Sequence, residues 1–437
     1  MKKEKSKEFE DHDYYHGLLP REDIPHLLRK PGDFLVRQSE TTAGQARQTI
    51  ISLMIDAETT KHIIVARNLV NGKWATDNTR FFDSIHELIT HYIQTREPVV
   101  PHIPTAILVT PINRAPWELK HEDVELFEKL GEGAFGEVRA GRLNLQSKRK
   151  VMVAVKLAKT SEMSKEKIKE IMKEARMMRN YEHPNVVKLY GVCVESEPLL
   201  IVMELIHGGA LDEFLKKQTV HLNEKLDNMT TGAAWGLEYL HSKHCIHMDI
   251  AARNCLYANG NTVKISDFGL SREGDHYTMT TVRRVPVKWL APEVIQSLVY
   301  TAKSDVWAYG VMIWEIYSNA VEPYPGMSNA EVVNGYRMEM PRECPPAVVE
   351  LIVNGCWNQN VERRLTMHQV ARKLEALTGI TPPSAQAPVK QAAANLSIEN
   401  VSAKKKRSGG GMNKRSAEQS NRIRRKNKGM GKKGPLN

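Results

Sequence analysis

A glycine-rich stretch is the first feature whose residue types and spacing could do chemistry. LGEGAFGEV (130–138) contains Gly131, Gly133 and Gly136, followed by Val138. Glycines at this spacing let backbone amides approach phosphate groups closely. The same spacing also occurs in ordinary hairpin turns, so the stretch alone is weak evidence for a nucleotide site.

A lysine and a glutamate follow at positions that could serve the same phosphates. Lys156 ends VAVK, 18 residues after Val138, and on a strand its side chain shares a face with Ala154. A small residue at Ala154 leaves room for an adenine ring to pack against the strand, and the neighbouring ammonium could bind phosphate. Glu174 lies at the edge of a helical apolar stripe and could turn inward to Lys156, although a solvated charge is the ordinary alternative. The stripe consists of Ile168, Ile171, Met172, Ala175 and Met178.

Carboxylates and an amide recur downstream in short motifs. HMDIAARN supplies Asp249 and, five residues later, Asn254; ISDFGLSR supplies Asp267. VKWLAPE then supplies Glu293, and SDVWAYG supplies Asp305. Together with the glycine loop, the lysine and the helix glutamate, these motifs stand in the order of the protein-kinase signatures, which chance does not produce.

The segment 124–379 therefore resembles a bilobal protein kinase. The resemblance implies transfer of the ATP γ-phosphate, with Mg²⁺ (Mn²⁺ as an alternative) held by Asn254 and Asp267. It implies that Asp249 accepts the substrate proton beside Arg253, and that Lys156, held by Glu174, grips the α- and β-phosphates. The ATP-binding residues implied are Leu130, Gly131, Gly133, Gly136, Val138, Ala154, Lys156, Met203, Glu204 and Ile206. Glu293, Asp305 and Arg364 are implied structural residues, with Arg364 pairing with Glu293.

The tyrosine-specific branch is the better match. Asp249 is followed by IAARN, without the lysine that serine/threonine kinases carry two residues after the aspartate, and the later loop ends VPVKWLAPE. WELKHEDVELFEKLGEGAFGEV is most similar to the Fes/Fer group of non-receptor tyrosine kinases. That group usually carries an F-BAR region; none occurs in this sequence, so we do not expect a membrane-curving role.

The catalytic loop departs from the family at one residue. Met248 stands where the family has an arginine that anchors the activation-loop phosphate, and Tyr277 is the only tyrosine of that loop. Arg272, Arg283 and Arg284 remain as candidate phosphate partners. We expect an active enzyme with a weakened or rewired phosphate switch; the alternative is a pseudokinase adaptor.

An arginine inside an apolar strand marks a second site. FLVRQ (34–38) contains Arg37, and segments 49–55 and 61–67 are predicted to be further strands, with helices at REDIPHLL and at 84–93. A strand arginine facing water is the ordinary alternative, since a buried arginine needs a counter-charge.

Residues 14–113 resemble a Src homology 2 (SH2) domain, through YYHGLLPRED, GDFLVRQSE and KHIIVAR. The resemblance implies that Arg37 binds the phosphate of phosphotyrosine in a bidentate manner, assisted by Arg21, Ser39 and His62. Some members carry a lysine at the position of Ile64, so more of the contact is expected to fall on Arg21. Partners implied are phosphotyrosine proteins and tyrosine substrates.

The net charge is carried by the last residues. The chain of 437 residues has a net charge of +11, whereas residues 381–437 contain 14 Lys or Arg against two Glu and so carry +12. Residues before them therefore carry −1, which gives no sign of nucleic-acid binding by the folded part. The tail is predicted to be disordered and either merely solvating or attracted to anionic membrane or nucleic acid, with nuclear import as a variant.

The whole sequence predicts an α+β, multidomain protein. No run of about 18 apolar residues or N-terminal apolar signal occurs, Lys2 excludes N-myristoylation, and five scattered cysteines favour reduced thiols in the cytoplasm. The predicted order is a charged lead (1–13), an SH2 domain with a central antiparallel sheet flanked by two helices (14–113), a linker (114–123), a tyrosine kinase domain (124–379) and a basic tail (380–437).

Overall fold

The structure is a computed structural model that describes residues 9–41, 44–77, 79–133, 136–145, 147, 149–158, 164–258, 262–280 and 285–383. The described residues all fall in one compact unit. The predicted lead up to residue 8 and the basic tail from residue 384 lie outside the described residues.

A five-stranded sheet forms the first region, in the order β4-β3-β2-β1-β5. Its strands are β1 (Asp33–Ser39), β2 (Gln48–Met54), β3 (Thr60–Arg67), β4 (Trp74–Ala75) and β5 (Thr110–Pro111). All neighbouring pairs are antiparallel except β1 and β5, which pair in parallel. The three strands predicted from apolar runs are the three central strands of this sheet.

The two helices predicted beside this sheet differ in kind. Helix α1 (Ile85–Thr95) begins at its N-cap Ser84 and buries the predicted stripe of Ile85, Leu88, Ile89 and Tyr92. The other predicted helix is instead a short 3₁₀ helix, Arg21–His26, with Pro25 inside it. Proline lacks the N–H that an α-helix needs there, which explains the correction.

A second sheet and one helix form the next region. The sheet has the order β6-β7-β8-β10-β9. The strands are β6 (Val124–Gly133), β7 (Gly136–Asn144), β8 (Lys150–Ala158), β9 (Leu189–Cys193) and β10 (Leu200–Glu204), and the helix is α2 (Lys165–Met178). On β8 the valines are buried and the alternate residues face the other way, as predicted from the period of a strand.

The remaining region is mainly helical and packs around α7, which is buried along nearly its whole length. Its helices are α3 (Leu211–Lys217), α4 (Leu222–Glu224), α5 (Thr231–Ser242), α6 (Pro292–Ser297), α7 (Ala302–Tyr317), α8 (Asn329–Val333), α9 (Pro346–Glu350) and α10 (Met367–Thr378). Its short strands are β11 (Cys245–Ile246), β12 (Cys255–Ala258), β13 (Thr262–Ile265), β14 (Arg272–Glu273), β15 (His276–Thr278) and β16 (Val299–Thr301).

The first region packs directly on the second. Leucines and Ile24 of the first region share one apolar cluster with the buried face of α2 and with β9 and β10. Leu18 N donates to Val194 O at 2.7 Å, and a Cβ on Gly17 would lie 2.2 Å from that oxygen, so only glycine allows this approach. Asp23 accepts two hydrogen bonds from Arg176 of α2, at 3.0 and 2.8 Å.

The segment predicted as a linker is also packed. Glu118 accepts from the buried His16 ring at 2.8 Å, and Arg114 Nη1 lies 2.7 Å from Glu195. Residues 114–123 therefore join the two sheets through specific polar contacts.

Candidate functional site

The predicted pair of Lys156 and Glu174 is present. Lys156 on β8 donates from Nζ to both carboxylate oxygens of Glu174 on α2, each at 2.8 Å. Burial raises the pKa of Glu174, and the Lys156 ammonium opposes that shift. The pair ties α2 to the sheet, and α2 is held from its other side by the first region.

Most of the residues predicted to bind the nucleotide lie on the glycine hairpin and on the neighbouring strands of the same sheet. Gly131 pairs with Val138 across the β6–β7 hairpin, and Ala154 of β8 pairs with Met203 of β10. Residues 134 and 135, at the tip of the hairpin, lie outside the described residues. The side chain of Leu130 is exposed, and that of Ile206 is half-buried.

Glu204 plays a different part from its neighbours. Its carboxylate lies 2.8 Å from Lys264 Nζ and accepts from Lys188 N at 2.9 Å. The side chain of Glu204 therefore ties β10 to β13, and only its main-chain atoms are available to bind an adenine base.

The catalytic loop brings Asp249, Arg253 and Asn254 together. Arg253 Nη2 donates to Asp249 Oδ1, and Asn254 Nδ2 donates to Asp249 O at 2.7 Å. The Arg253 guanidinium also stacks over the Trp289 ring, 4.4 Å from its centroid. Arg253 thus holds the carboxylate of Asp249, and Asn254 holds its carbonyl oxygen.

Asp305 supports this loop from below. Its two carboxylate oxygens accept from His247 N at 2.7 Å and from Met248 N at 2.8 Å. Met248 has φ of 69° and His244 has φ of 55°, so the loop contains left-handed residues that these hydrogen bonds stabilise.

The donor set around Asp267 fits a divalent metal ion that prefers oxygen ligands. Asp267 is exposed at the cleft with φ of 60°, and Phe268 behind it is buried against Tyr181 and His247. Asn254 uses its amide nitrogen on Asp249, so its oxygen is left for a ligand. Hard oxygen donors of this kind suit Mg²⁺ bound together with substrate phosphates. Among the described residues no cluster of three or more His, Cys, Asp or Glu could hold a metal alone.

Met248 lies away from solvent. It is 6% exposed and lines a cavity with Pro286, Leu290 and Tyr300. Tyr277 on β15 pairs directly with Tyr300 on β16. Tyr300 therefore lies beside the loop tyrosine and also lines the cavity that contains Met248.

Arg272 is the described arginine that meets Tyr277. Its guanidinium carbon lies 4.8 Å from the centroid of the Tyr277 ring. Arg283 and Arg284, the other candidate phosphate partners, lie outside the described residues.

The predicted ion pair of Glu293 and Arg364 is bidentate, at 2.6 and 3.0 Å. Arg364 is 1% exposed, and it also donates to the carbonyls of Lys303 and Asn358 and stacks on Trp307. A buried guanidinium satisfied in this way fixes the first turn of α6 to the rest of the helical region.

Arg37 lies deep in the first region, at an exposed fraction of 1%. Its Nε donates to Ser52 Oγ at 3.1 Å and its Nη1 to Leu19 O at 3.4 Å, while Nη2 is buried without a hydrogen-bond partner among the described residues. Burial, and then the nearby Arg21, lower the pKa of Arg37 to about 10. A buried guanidinium with an unsatisfied N–H and no carboxylate bonded to it is suited to an incoming anion.

His62 completes the pocket as a neutral ring. Its Nδ1 lies 3.0 Å from Ser52 Oγ, and burial followed by Arg37 and Arg21 lowers its pKa to about 4. Arg21 and Ser39 stand farther out: Arg21 is exposed and within electrostatic range, and Ser39 donates to Glu40 O at 3.4 Å.

Two side chains at these sites were missed from the sequence. Ser52 bridges Arg37 and His62, and a serine in the middle of the apolar run IISLMI is the signal that could have found it. Glu315 accepts from Ala252 N at 3.0 Å and Trp289 Nε1 at 2.9 Å, and burial raises its pKa to about 7. A glutamate inside the apolar run VMIWEIY signals such a buried role.

Comparison with known proteins bears on both regions. Residues 124–374 match the model of the protein tyrosine and serine/threonine kinase family, and residues 14–92 match the SH2 domain. The chain is 42% identical to Fer-related kinase 1 of Caenorhabditis elegans over 367 residues, which is 83% of this chain and 93% of that protein. It is 40% identical to the tyrosine-protein kinase Fer of Mus musculus and of Homo sapiens, over 84% and 83% of this chain. The match covers 44% of the length of each Fer kinase. Within the described part of the chain, no helix combines the length and the hydropathy needed to span a bilayer.

Proposed function

The chain belongs to the protein tyrosine and serine/threonine kinase family, in its Fer-related branch, and from this premise we propose that it phosphorylates tyrosines of proteins recruited through phosphotyrosine. ATP is the phosphate donor, and the SH2 domain supplies the recruitment. The observation that carries the proposal is the Lys156–Glu174 pair beside a catalytic loop in which Asp249 is held by Arg253.

Each residue of the cleft has a part in that reaction. Lys156 binds the α- and β-phosphates while Glu174 fixes its ammonium, and the glycine hairpin covers the phosphates with backbone amides. Asp249 orients the tyrosine hydroxyl and accepts its proton, and Arg253 holds the carboxylate in place. Mg²⁺, held by Asn254 and Asp267, neutralises charge on the transferring phosphate when bound, and Mn²⁺ is the alternative ion.

A phosphotransfer assay tests the proposal against the adaptor alternative. The chain should phosphorylate a tyrosine peptide in the presence of ATP and Mg²⁺, and the matched serine and phenylalanine peptides should stay unmodified. An adaptor without kinase activity would bind phosphotyrosine peptides and leave all three unmodified.

Met248→Arg should strengthen activation by the loop phosphate. A guanidinium at this position can pair with phosphorylated Tyr277, and such a charge-assisted bond contributes about 1.5–3 kcal/mol. Autophosphorylation should raise the turnover of Met248→Arg by a factor about tenfold larger than the factor by which it raises the turnover of the wild type. The measurement is a double-mutant cycle with Tyr277→Phe.

The cycle separates a partnership from a local effect. Met248→Arg should change turnover little in the Tyr277→Phe background, because no phosphate is then present. Equal effects in both backgrounds, or a loss of activity in both, would mean that the residue acts through the apolar packing beneath the loop.

The basic tail supports a second, separate proposal: attraction to anionic membrane or nucleic acid. Its +12 charge is the observation in favour. Removing residues 381–437 should leave kcat unchanged and abolish binding to anionic vesicles or DNA at low salt, as measured by co-sedimentation. Absence of such binding in the full chain would leave the tail as a solubilising segment.

We propose a cytoplasmic location, since the five cysteines are unpaired and buried.

A further inference from the structure

A cavity lies where the SH2 domain meets the first turns of α2. Its walls come from both regions: Leu18, Pro20, Arg21, Gln38, Ser39, Glu40 and Arg47 on one side, and Lys165, Ile168 and Lys169 on the other. Two of these, Arg21 and Ser39, were assigned to the phosphotyrosine pocket. The cavity therefore shares two residues with the predicted pocket, and the kinase helix forms its other wall.

The cavity has an excess of positive charge. Four cationic side chains line it against the single carboxylate of Glu40. Lys169 is neutralised by Glu22 at 2.8 Å, and Arg47 pairs with Glu197. Arg21 and Lys165 have no acidic partner among the residues that the structure describes.

The position of Lys165 is unfavourable for the helix itself. It is the first residue of α2, directly after the N-cap Ser164. A cation in the first turn opposes the helix dipole, whereas an anion there is stabilised. Helix stability therefore gives no reason for a lysine at this place, but an anion bound beside it would interact favourably with both the ammonium and the helix.

The buried arginine lies within electrostatic range of this cavity. Arg37 is influenced by both Arg21 and Glu22, and Glu22 contacts Lys169 on α2. A phosphate on Arg37 would thus lie near Arg21, which lines the cavity together with Lys165.

We propose that Lys165 of the kinase helix, together with Arg21, binds an acidic side chain adjacent to the phosphotyrosine in the docked ligand. The preferred ligand is a phosphotyrosine segment with aspartate or glutamate beside the phosphorylated residue. This inference rests on the proposed phosphotyrosine docking and makes the kinase domain a specificity determinant of that docking.

The test is a titration of the full chain with two matched phosphopeptides, followed by fluorescence anisotropy. One peptide carries glutamate on both sides of the phosphotyrosine, and the other carries glutamine. Wild type should bind the glutamate peptide about three- to fivefold more tightly, as for a partly exposed charge pair. Lys165→Gln should remove most of that preference while leaving affinity for the glutamine peptide within twofold, and salt at about 0.5 M should remove the preference in wild type.

Lys167→Gln is the matched control. It removes the same charge from the same helix turn, but Lys167 contacts Glu170 and does not line the cavity. Its preference should equal that of wild type. If Lys165→Gln keeps the full preference, or if Lys167→Gln loses as much, the inference is wrong.

Arg37→Ala separates this inference from the proposed phosphotyrosine docking on which it rests. If Arg37→Ala abolishes binding of both phosphopeptides and Lys165→Gln has no effect, only the composite site fails. If Arg37→Ala binds both peptides normally, the phosphotyrosine pocket itself is misassigned.

Discussion

Asp249→Asn should lower kcat about 10²- to 10⁴-fold and leave the Kd for ATP within about twofold. A positioned general base contributes a factor of this size to the rate, and it acts on the hydroxyl of the substrate, not on the nucleotide. Asparagine keeps the size of the side chain, and its amide cannot take the proton. Steady-state phosphorylation of a tyrosine peptide gives kcat, and nucleotide titration gives the Kd.

The control for this variant is Asp83→Asn, at a surface site paired with Lys73. It makes the same chemical change far from the cleft and should keep normal kcat. Near-normal turnover of Asp249→Asn would show that another group accepts the proton, and a large loss of ATP affinity would show that Asp249 organises the nucleotide site.

Arg37→Ala should weaken binding of phosphotyrosine peptides about 30-fold or more while sparing kcat on a soluble tyrosine peptide. Removing one member of a buried, hydrogen-bonded charge pair costs about 2–5 kcal/mol. Ser52 accepts a hydrogen bond from Nε and so holds the guanidinium in place, while Nη2 has no hydrogen-bond partner among the described residues and can donate to an anion. Arg37→Lys should also weaken binding, because an ammonium cannot form the two parallel bonds of the guanidinium fork.

Arg29→Ala is the matched control, since Arg29 is an exposed arginine of the same region. It should keep wild-type peptide affinity. Thermal unfolding of each variant checks that the alanine has not opened the core around β1, and Arg37→Lys keeps the test informative if it has. Retained peptide affinity in a folded Arg37→Ala would contradict the pocket.

Alternating burial and helical stripes explain why much of the fold could be predicted. The period of two on β8 and the apolar stripes of α1 and α2 each define one buried face, and the structure buries those faces. The Lys156–Glu174 and Glu293–Arg364 pairs were predictable because each joins charges in motifs of known order.

Contacts between distant residues could not be predicted in the same way. Nothing periodic links Asp23 to Arg176 or His16 to Glu118, so the packing of the SH2 domain on α2 emerges only in the structure. A helix was predicted at Arg21–His26, but its 3₁₀ form came from the structure, because apolar spacing does not separate a 3₁₀ helix from an α-helix. Met248 was predicted to alter the switch, but its burial against the Tyr300 side of the loop came from the structure.

The most direct measurement compares phosphorylation of one polypeptide substrate with and without a phosphotyrosine placed upstream of its target tyrosine. We expect ATP-dependent modification of the target tyrosine in both substrates, with KM about tenfold lower for the phosphorylated form and kcat unchanged. The difference in KM should be lost in Arg37→Ala. No transfer to either substrate, or equal KM values in wild type and in Arg37→Ala, would contradict the proposed function.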